Sequence, residues 1–104
     1  MKTISVAELN DLLAADAVTL VDVRGADELA LARLDRALHI PMHELPQRIG
    51  ELNPNAPIAV LCHHGVRSEM AARFLEKNGF GDVASVAGGI DAWSSDIDTT
   101  VPRY

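Results

Sequence analysis

Two rhythms of apolar and polar residues alternate along this chain. Short, largely apolar runs recur: Val18-Thr19-Leu20-Val21-Asp22-Val23, Ala37-Leu38-His39-Ile40, Ile58-Ala59-Val60-Leu61-Cys62 and Val83-Ala84-Ser85-Val86. Their β-branched content predicts strands, and the most apolar of them are buried on both faces. Between them apolar residues fall at helical spacing. Ser5 and Glu8 have the spacing of a capping box, which predicts a helix starting after Ser5, with Leu9, Leu12 and Leu13 as its stripe and Asp16 in its end region. Ala26 to Arg33 reads as a helix with Asp27 and Glu28 in its first turn. Leu45 to Leu52 is a weaker helix, broken by Asn53-Pro54. Val66 to Lys77 is the clearest helix, with Val66, Met70, Ala71, Phe74 and Leu75 on one face. Asn78-Gly79-Phe80 reads as its C-cap, Gly79 taking the left-handed position. Gly88-Gly89 is a turn and Ile90 to Trp93 a short helix start. The tail from Ser94 to Tyr104 has no clear period.

Strands that alternate with helices in this way predict an α/β fold, a parallel sheet with helices on both faces. No internal repeat or low-complexity segment interrupts it. The 104 residues suit a single domain, with its core over 4–93 and a C-terminal tail over 94–104. Apolar residues make up 48% of the chain, enough for one core. The mean hydropathy is only +0.09, as expected of a soluble domain.

Charge narrows the partners. Nine basic and 15 acidic side chains leave a net charge of −6, with no basic run or patch. Nucleic acid and anionic membranes are therefore not expected as partners. An anionic substrate would have to be attracted by local groups. No apolar run approaches the ~20 residues that span a bilayer. Glu8, Asn10 and Asp11 break the start before a signal-peptide core can form. A single cysteine cannot form an internal disulfide, which points to the cytoplasm.

That cysteine, Cys62, carries the candidate chemistry. It ends an apolar strand and precedes the loop His63-His64-Gly65-Val66-Arg67-Ser68 and a helix. Ligands of open α/β sheets bind at the carboxyl ends of strands. A thiol is nucleophilic as the thiolate, which nearby positive charge stabilises. The loop can supply that charge through backbone N–H groups, with Gly65 allowing the dihedrals of an anion nest, and through the helix N-terminus. Arg67 adds a permanent charge, and His63 and His64 add fractional ones. The competing interpretation is a buried cysteine that only fills space.

Cys62-His63-His64-Gly65-Val66-Arg67-Ser68 resembles the active-site signature C-x-x-G-x-R-S of single-domain rhodanese-like sulfurtransferases. Asp22-Val23-Arg24 with Glu28 resembles the family's D-V-R-x-x-x-E segment, and Gly88-Gly89-Ile90-Asp91-Ala92-Trp93 its G-G-x-x-A-W segment. The likeness runs from Ile4 to Trp93. It departs at Ala32-Arg33-Leu34-Asp35-Arg36, where the family has a Gly-His-Ile-Pro-Gly stretch, and resumes at Ile40-Pro41.

The resemblance implies a rhodanese-like sheet of about five parallel strands. It also implies sulfur transfer from thiosulfate or a similar donor to a thiophilic acceptor, cyanide or a thiol, through a persulfide on Cys62. His63 to Ser68 would bind the donor and the persulfide, with Arg67 on the anionic donor. Asp22 and Arg24 would organise the loop, with Glu28 as a partner for Arg24. Ser68 would cap or orient the loop, and Trp93 would pack in the core or against the tail. A protein acceptor of sulfur is an alternative destination. With no second cysteine, the sulfur must leave by attack from another molecule.

Two rival functions remain. Cysteine phosphatases and arsenate reductases characteristically place five residues between the cysteine and arginine of their loop; only His63, His64, Gly65 and Val66 lie between Cys62 and Arg67. The shorter loop suits a single sulfur better than a phosphate. The second rival is a binding module that has lost catalysis, for which the retained Cys62 and Arg67 give no sign. No cofactor is implied. A metal site from Cys62, His63, His64, His39 and His43 is not expected, because Pro41 disrupts the His39–His43 helical spacing and adjacent histidines rarely converge on one ion.

Overall fold

Five strands form one parallel sheet in the order β1-β5-β4-β2-β3. They are β1 (Lys2–Ile4), β2 (Thr19–Asp22), β3 (Leu38–His39), β4 (Ile58–Leu61) and β5 (Val83–Val86). The computed structural model describes residues 1–104. The helices are α1 (Val6–Ala14), α2 (Ala26–Leu31), α3 (Leu45–Arg48), α4 (Val66–Lys77) and α5 (Gly89–Asp96). Short 3₁₀ turns, Met42–Glu44 and Ile49–Glu51, flank α3.

The helices cover both faces of the sheet, as the alternation predicts. On one face Leu45, Ala71, Ala72 and Leu75 from α3 and α4 pack on Val21, Ile58 and Val60. On the other, Leu9 and Leu13 of α1 and Ile90 and Trp93 of α5 pack on Leu20, Ala59 and Leu61. Neighbouring residues of β4 thus point to opposite layers, which is why that strand is apolar throughout. Cys62 belongs to the first layer.

Local signals set most boundaries. Ser5 caps α1 with the reciprocal Ser5–Glu8 hydrogen bonds of a capping box. Gly79 has φ +90°, and the buried Phe80 donates its N–H to the Leu75 carbonyl at 3.2 Å.

Four expectations need correction. β1 was not foreseen: it is a three-residue edge strand with only Ile4 buried, too short for a pattern, and pairing with β5 makes it a strand. The expected apolar face of α4 is wrong in part. Val66 is 71% and Met70 52% exposed, while Ser68, Ala71, Ala72 and Leu75 are the buried residues. Small side chains let α4 sit close to β4 and β5, so the helix turns them, and not its larger Val66 and Met70, toward the sheet. α2 ends at Leu31 rather than Arg33 and buries none of its residues. α5 runs on to Asp96, well past the start at Ile90–Trp93 that the pattern marks.

Candidate active site

Cys62 follows β4 directly and is 1% exposed. Its Sγ accepts the backbone N–H of Gly65 at 3.0 Å. Gly65 has φ +117°, a left-handed conformation that turns this N–H back toward the sulfur. Gly65 is also the N-cap of α4, so the positive end of that helix lies beside the loop.

The far side of the loop is gripped by α5. Ile90 donates its N–H to the Cys62 carbonyl at 2.9 Å, and Asp91 donates to the His63 carbonyl at 3.1 Å. The orphan N–H groups of the first turn of α5 thus satisfy the loop's carbonyls. The approach depends on Gly89. A Cβ there would lie 2.3 Å from the Cys62 oxygen and 2.4 Å from the His63 oxygen, and the residue has φ +58°. The Gly88-Gly89 turn read in the sequence is therefore the floor of the cysteine loop.

Ser68 ties the loop to the sheet. Its Oγ donates to the Gly65 carbonyl at 2.9 Å and lies 2.7 Å from the buried Oγ of Ser85. Because the Ser68 proton goes to Gly65, Ser85 is the donor of the second bond.

The arginines are distributed differently from the expectation. Glu28 is not the carboxylate partner of Arg24. Arg24 is wholly buried and pairs with buried Asp22 through Nε and Nη2, the shortest bond being 2.7 Å. Its remaining donors reach the Ala32 carbonyl at 2.8 Å, the Tyr104 hydroxyl at 2.9 Å and, more weakly, only the backbone carbonyl of Glu28 at 3.4 Å. Burial opposes the charge, but the hydrogen bonds with Asp22 and Tyr104 outweigh it and hold the Arg24 pKa above its ordinary value. The atypical Ala32–Arg36 segment takes part in this scaffold: Ala32 lends its carbonyl to Arg24, and Arg36 caps the C-terminal end of α1 by bonding the Leu13 carbonyl.

The Glu28 carboxylate instead binds Arg67 in fork-to-fork geometry, Nη1 to Oε1 at 2.5 Å and Nη2 to Oε2 at 2.8 Å. Chain neighbours cannot explain this choice. α2 and the start of α4 are brought together at the carboxyl edge of the sheet, β2 and β4 being adjacent. The Arg67 bonds, despite an opposing contribution from burial and with help from Tyr104 and Gly25, lower the Glu28 carboxyl to about 2. The pairing with Glu28, with a smaller contribution from the Cys62 charge, raises Arg67 above its ordinary value. Asp91 pairs with Arg103 at 3.1 Å.

Residues of the tail complete the site, and sequence reasoning missed them. The Tyr104 hydroxyl accepts from Arg24 and donates to Glu28 Oε2 at 2.7 Å. Its ring stacks on His63 with centroids 3.8 Å apart and planes 8° from parallel. Burial raises the pKa of this phenol. His63 is half-buried and His64 exposed, their rings 3.8 Å apart. The buried Nε2 of His63 has no hydrogen-bond partner. Trp93 is buried among α1 and α5 residues, with Val101 of the tail against the same cluster. No periodicity marks the tail because it meets the site through single polar contacts.

Donor atoms of His63, His64 and Asp91 lie within 4.8 Å of one another, the one such group of metal-ligating side chains. Arg103 already engages both Asp91 oxygens. His39 lies elsewhere, its Nε2 2.7 Å from the Arg24 carbonyl oxygen, and exposed His43 neighbours Glu44.

A family model described as a rhodanese-like domain matches residues 5–96. The chain belongs to the rhodanese-like family. It is 35% identical over 92 residues to a thiosulfate sulfurtransferase GlpE of Shewanella oneidensis, covering 88% of this chain and 91% of that relative. It is 40% identical over 79 residues to the putative sulfur carrier protein YrkF of Bacillus subtilis, covering 76% of this chain but 43% of that longer protein. The chain thus spans less than half of the Bacillus relative and most of the Shewanella one. Among solved structures, a rhodanese-like domain protein from Staphylococcus aureus superposes with a TM-score of 0.86 at 34% identity, covering 100% of this chain and 99% of that one. This family member has no helix long and apolar enough to cross a membrane.

Proposed function

We propose that this protein is a sulfurtransferase that carries sulfane sulfur as a persulfide on Cys62. One observation supports the reading above the others: the Gly65 N–H is aimed at the Cys62 sulfur from 3.0 Å, in a loop that also holds Arg67. A sulfur so placed at a helix N-terminus is suited to carrying negative charge. In the first step the Cys62 thiolate attacks the outer sulfur of thiosulfate. A Cys62 S–S bond forms, the donor S–S bond breaks, and sulfite departs with the bond's electron pair. The persulfide anion keeps one negative charge, so charge balances. In the second step a nucleophile, cyanide or a thiolate, attacks the outer sulfur and the Cys62 thiolate leaves, as in covalent catalysis generally.

Residues His63 to Ser68 form the binding loop in this scheme, and Asp22, Arg24 and Glu28 support it. Residues 1–104 act as one catalytic unit, and a reducing compartment such as the cytoplasm suits its free thiol. The names of relatives agree with sulfur transfer: one is a thiosulfate sulfurtransferase and another a putative sulfur carrier protein. The second name favours a protein acceptor as well as a small thiol.

Intact-mass spectrometry tests the proposal. Protein incubated with thiosulfate gains the mass of one sulfur and loses it on addition of cyanide, and Cys62→Ser gains none. Equal gain in both proteins, or none in wild type, rejects it. Turnover of an aryl phosphate would show that the loop serves a phosphatase instead.

A further inference from the structure

The chain beyond α5 comes back to the cysteine loop. Its base is packed, with Val101 against the layer that contains Trp93. The next three residues, Pro102, Arg103 and Tyr104, belong to no helix or strand and make no backbone–backbone hydrogen bond. Side chains alone attach them. Arg103, 60% exposed, reaches the two Asp91 oxygens at 3.1 Å each. Tyr104 stacks on His63, the residue after Cys62, and its hydroxyl donates to Glu28, the acid that holds Arg67. The ring thus joins the first residue of the loop to the partner of the loop's arginine. Cys62 itself is 1% exposed, whereas Tyr104 is 36% exposed. The family model matches only as far as residue 96, so these contacts lie outside it.

We infer that residues 102–104 form a lid on the cysteine loop, based on the packed Val101 and latched by Tyr104 and Arg103, which lifts to let acceptor thiols reach the sulfur on Cys62. The acceptor step rests on the sulfurtransferase reading; the cover over the thiol does not. A segment held by a few exposed contacts opens locally while the fold stays intact. The Arg103–Asp91 pair is exposed enough to add little to the latch. The covered arrangement also carries a cost, because the buried Nε2 of His63 has no hydrogen-bond partner. A nucleophile too large to pass the lid meets only the lifted fraction of molecules, and its rate falls in proportion. A thiol acceptor needs more room than diatomic cyanide. Its thiolate, RS⁻, attacks the outer sulfur of the Cys62 persulfide anion. An R–S bond to that sulfur forms, the persulfide S–S bond breaks, and the Cys62 thiolate leaves with the electron pair. RS–S⁻ is the product, so charge balances.

The test follows the loss of sulfur from thiosulfate-loaded protein by mass spectrometry, with cyanide or uncharged dithiothreitol as acceptor. The quantity read is the ratio of the dithiothreitol rate to the cyanide rate, since damage to the loop scaffold lowers both. Tyr104→Ala raises this ratio at least about threefold. Arg103→Gln, which removes one exposed ion pair, raises it by about twofold. Arg73→Gln breaks a surface pair with Glu69 on α4 and leaves the ratio at its wild-type value. An unchanged or lower ratio in Tyr104→Ala, or an equal rise in Arg73→Gln, overturns the lid. Should Tyr104→Ala fail to fold, Arg103→Gln must raise the ratio, and an unchanged value overturns the lid equally. The sulfurtransferase reading fails separately, when no sulfur loads onto wild-type Cys62. The lid is then decided on the free thiol, by alkylation with 5-iodoacetamidofluorescein relative to iodoacetamide. That ratio rises in the same variants, and a constant ratio overturns the lid.

Discussion

The N–H of Ile90 donates to the carbonyl of Cys62 at 2.9 Å, so α5 holds the backbone of the residue whose sulfur faces Gly65. The first turn of one helix thereby fixes the carbonyl side of the loop, and the N-cap of another offers an N–H to the sulfur. Close approach at Gly89 makes this possible. Gly89→Ala would place a methyl group within 2.4 Å of two carbonyl oxygens, at a φ that L-residues avoid. The expected loss is about 2 kcal/mol or more of stability and at least tenfold in kcat/KM. Thermal unfolding and donor kinetics on the same preparation measure both.

Asp22 and Arg24 form an ion pair that is almost fully buried. Removing Asp22 leaves Arg24 charged and without its counter-ion in the interior. Asp22→Ala should cost about 3–5 kcal/mol, observed as a lower urea midpoint. A loss below about 1 kcal/mol would show that the bonds Arg24 already makes to the Ala32 carbonyl and the Tyr104 hydroxyl suffice to hold its buried charge.

Glu28 gives the stability a pH dependence. Its carboxyl ionises near 2 in the fold instead of near 4.5, so the folded state favours the ionised form. A depressed carboxylate pKa contributes stability that is complete above the unfolded value and lost as pH falls through the folded one. The stability difference between wild type and Glu28→Gln should be level above about pH 5 and shrink between about pH 4.5 and 2. Denaturant titrations across that window check it. A difference that grows as the pH falls contradicts the pairing with Arg67.

Tyr104 stacks on His63 and bonds both Arg24 and Glu28, next to a cysteine that is 1% exposed. Tyr104→Ala removes the stacked ring and both bonds while leaving the core intact. Iodoacetamide should then alkylate Cys62 several-fold faster than in wild type, because the loop loses cover. Mass spectrometry over a time course reads the rate, and an equal rate shows that the sulfur is shielded by its own loop.

Much of the fold is legible in the sequence because its causes are local. The apolar runs at Val18–Val23 and Ile58–Cys62 contain the strands Thr19–Asp22 and Ile58–Leu61, buried but for Thr19, and the Ser5–Glu8 box starts its helix as read. The edge strand Lys2–Ile4 has no such signature, since a partner strand, not its own three residues, makes it a strand. Which way α4 faces was also hidden: Val66 and Met70 look like core residues, yet the small Ser68, Ala71 and Ala72 allow the closer approach to the sheet.

The same division runs through the site. Cys62, Gly65 and Arg67 lie in one short segment, so the sequence by itself determined the candidate nucleophile and its loop. It also placed Asp22, Arg24 and Glu28 near one another. Which acid meets which arginine was decided only in three dimensions, where Asp22 takes Arg24 and Glu28 takes Arg67. Tyr104 joined the site only when the tail came back over α2 and the cysteine loop. The physical reason is range. Strand burial, caps and left-handed turns depend on neighbouring residues in the chain, whereas ion pairs and stacking depend on distances in space that only the closed sheet and its packed helices establish.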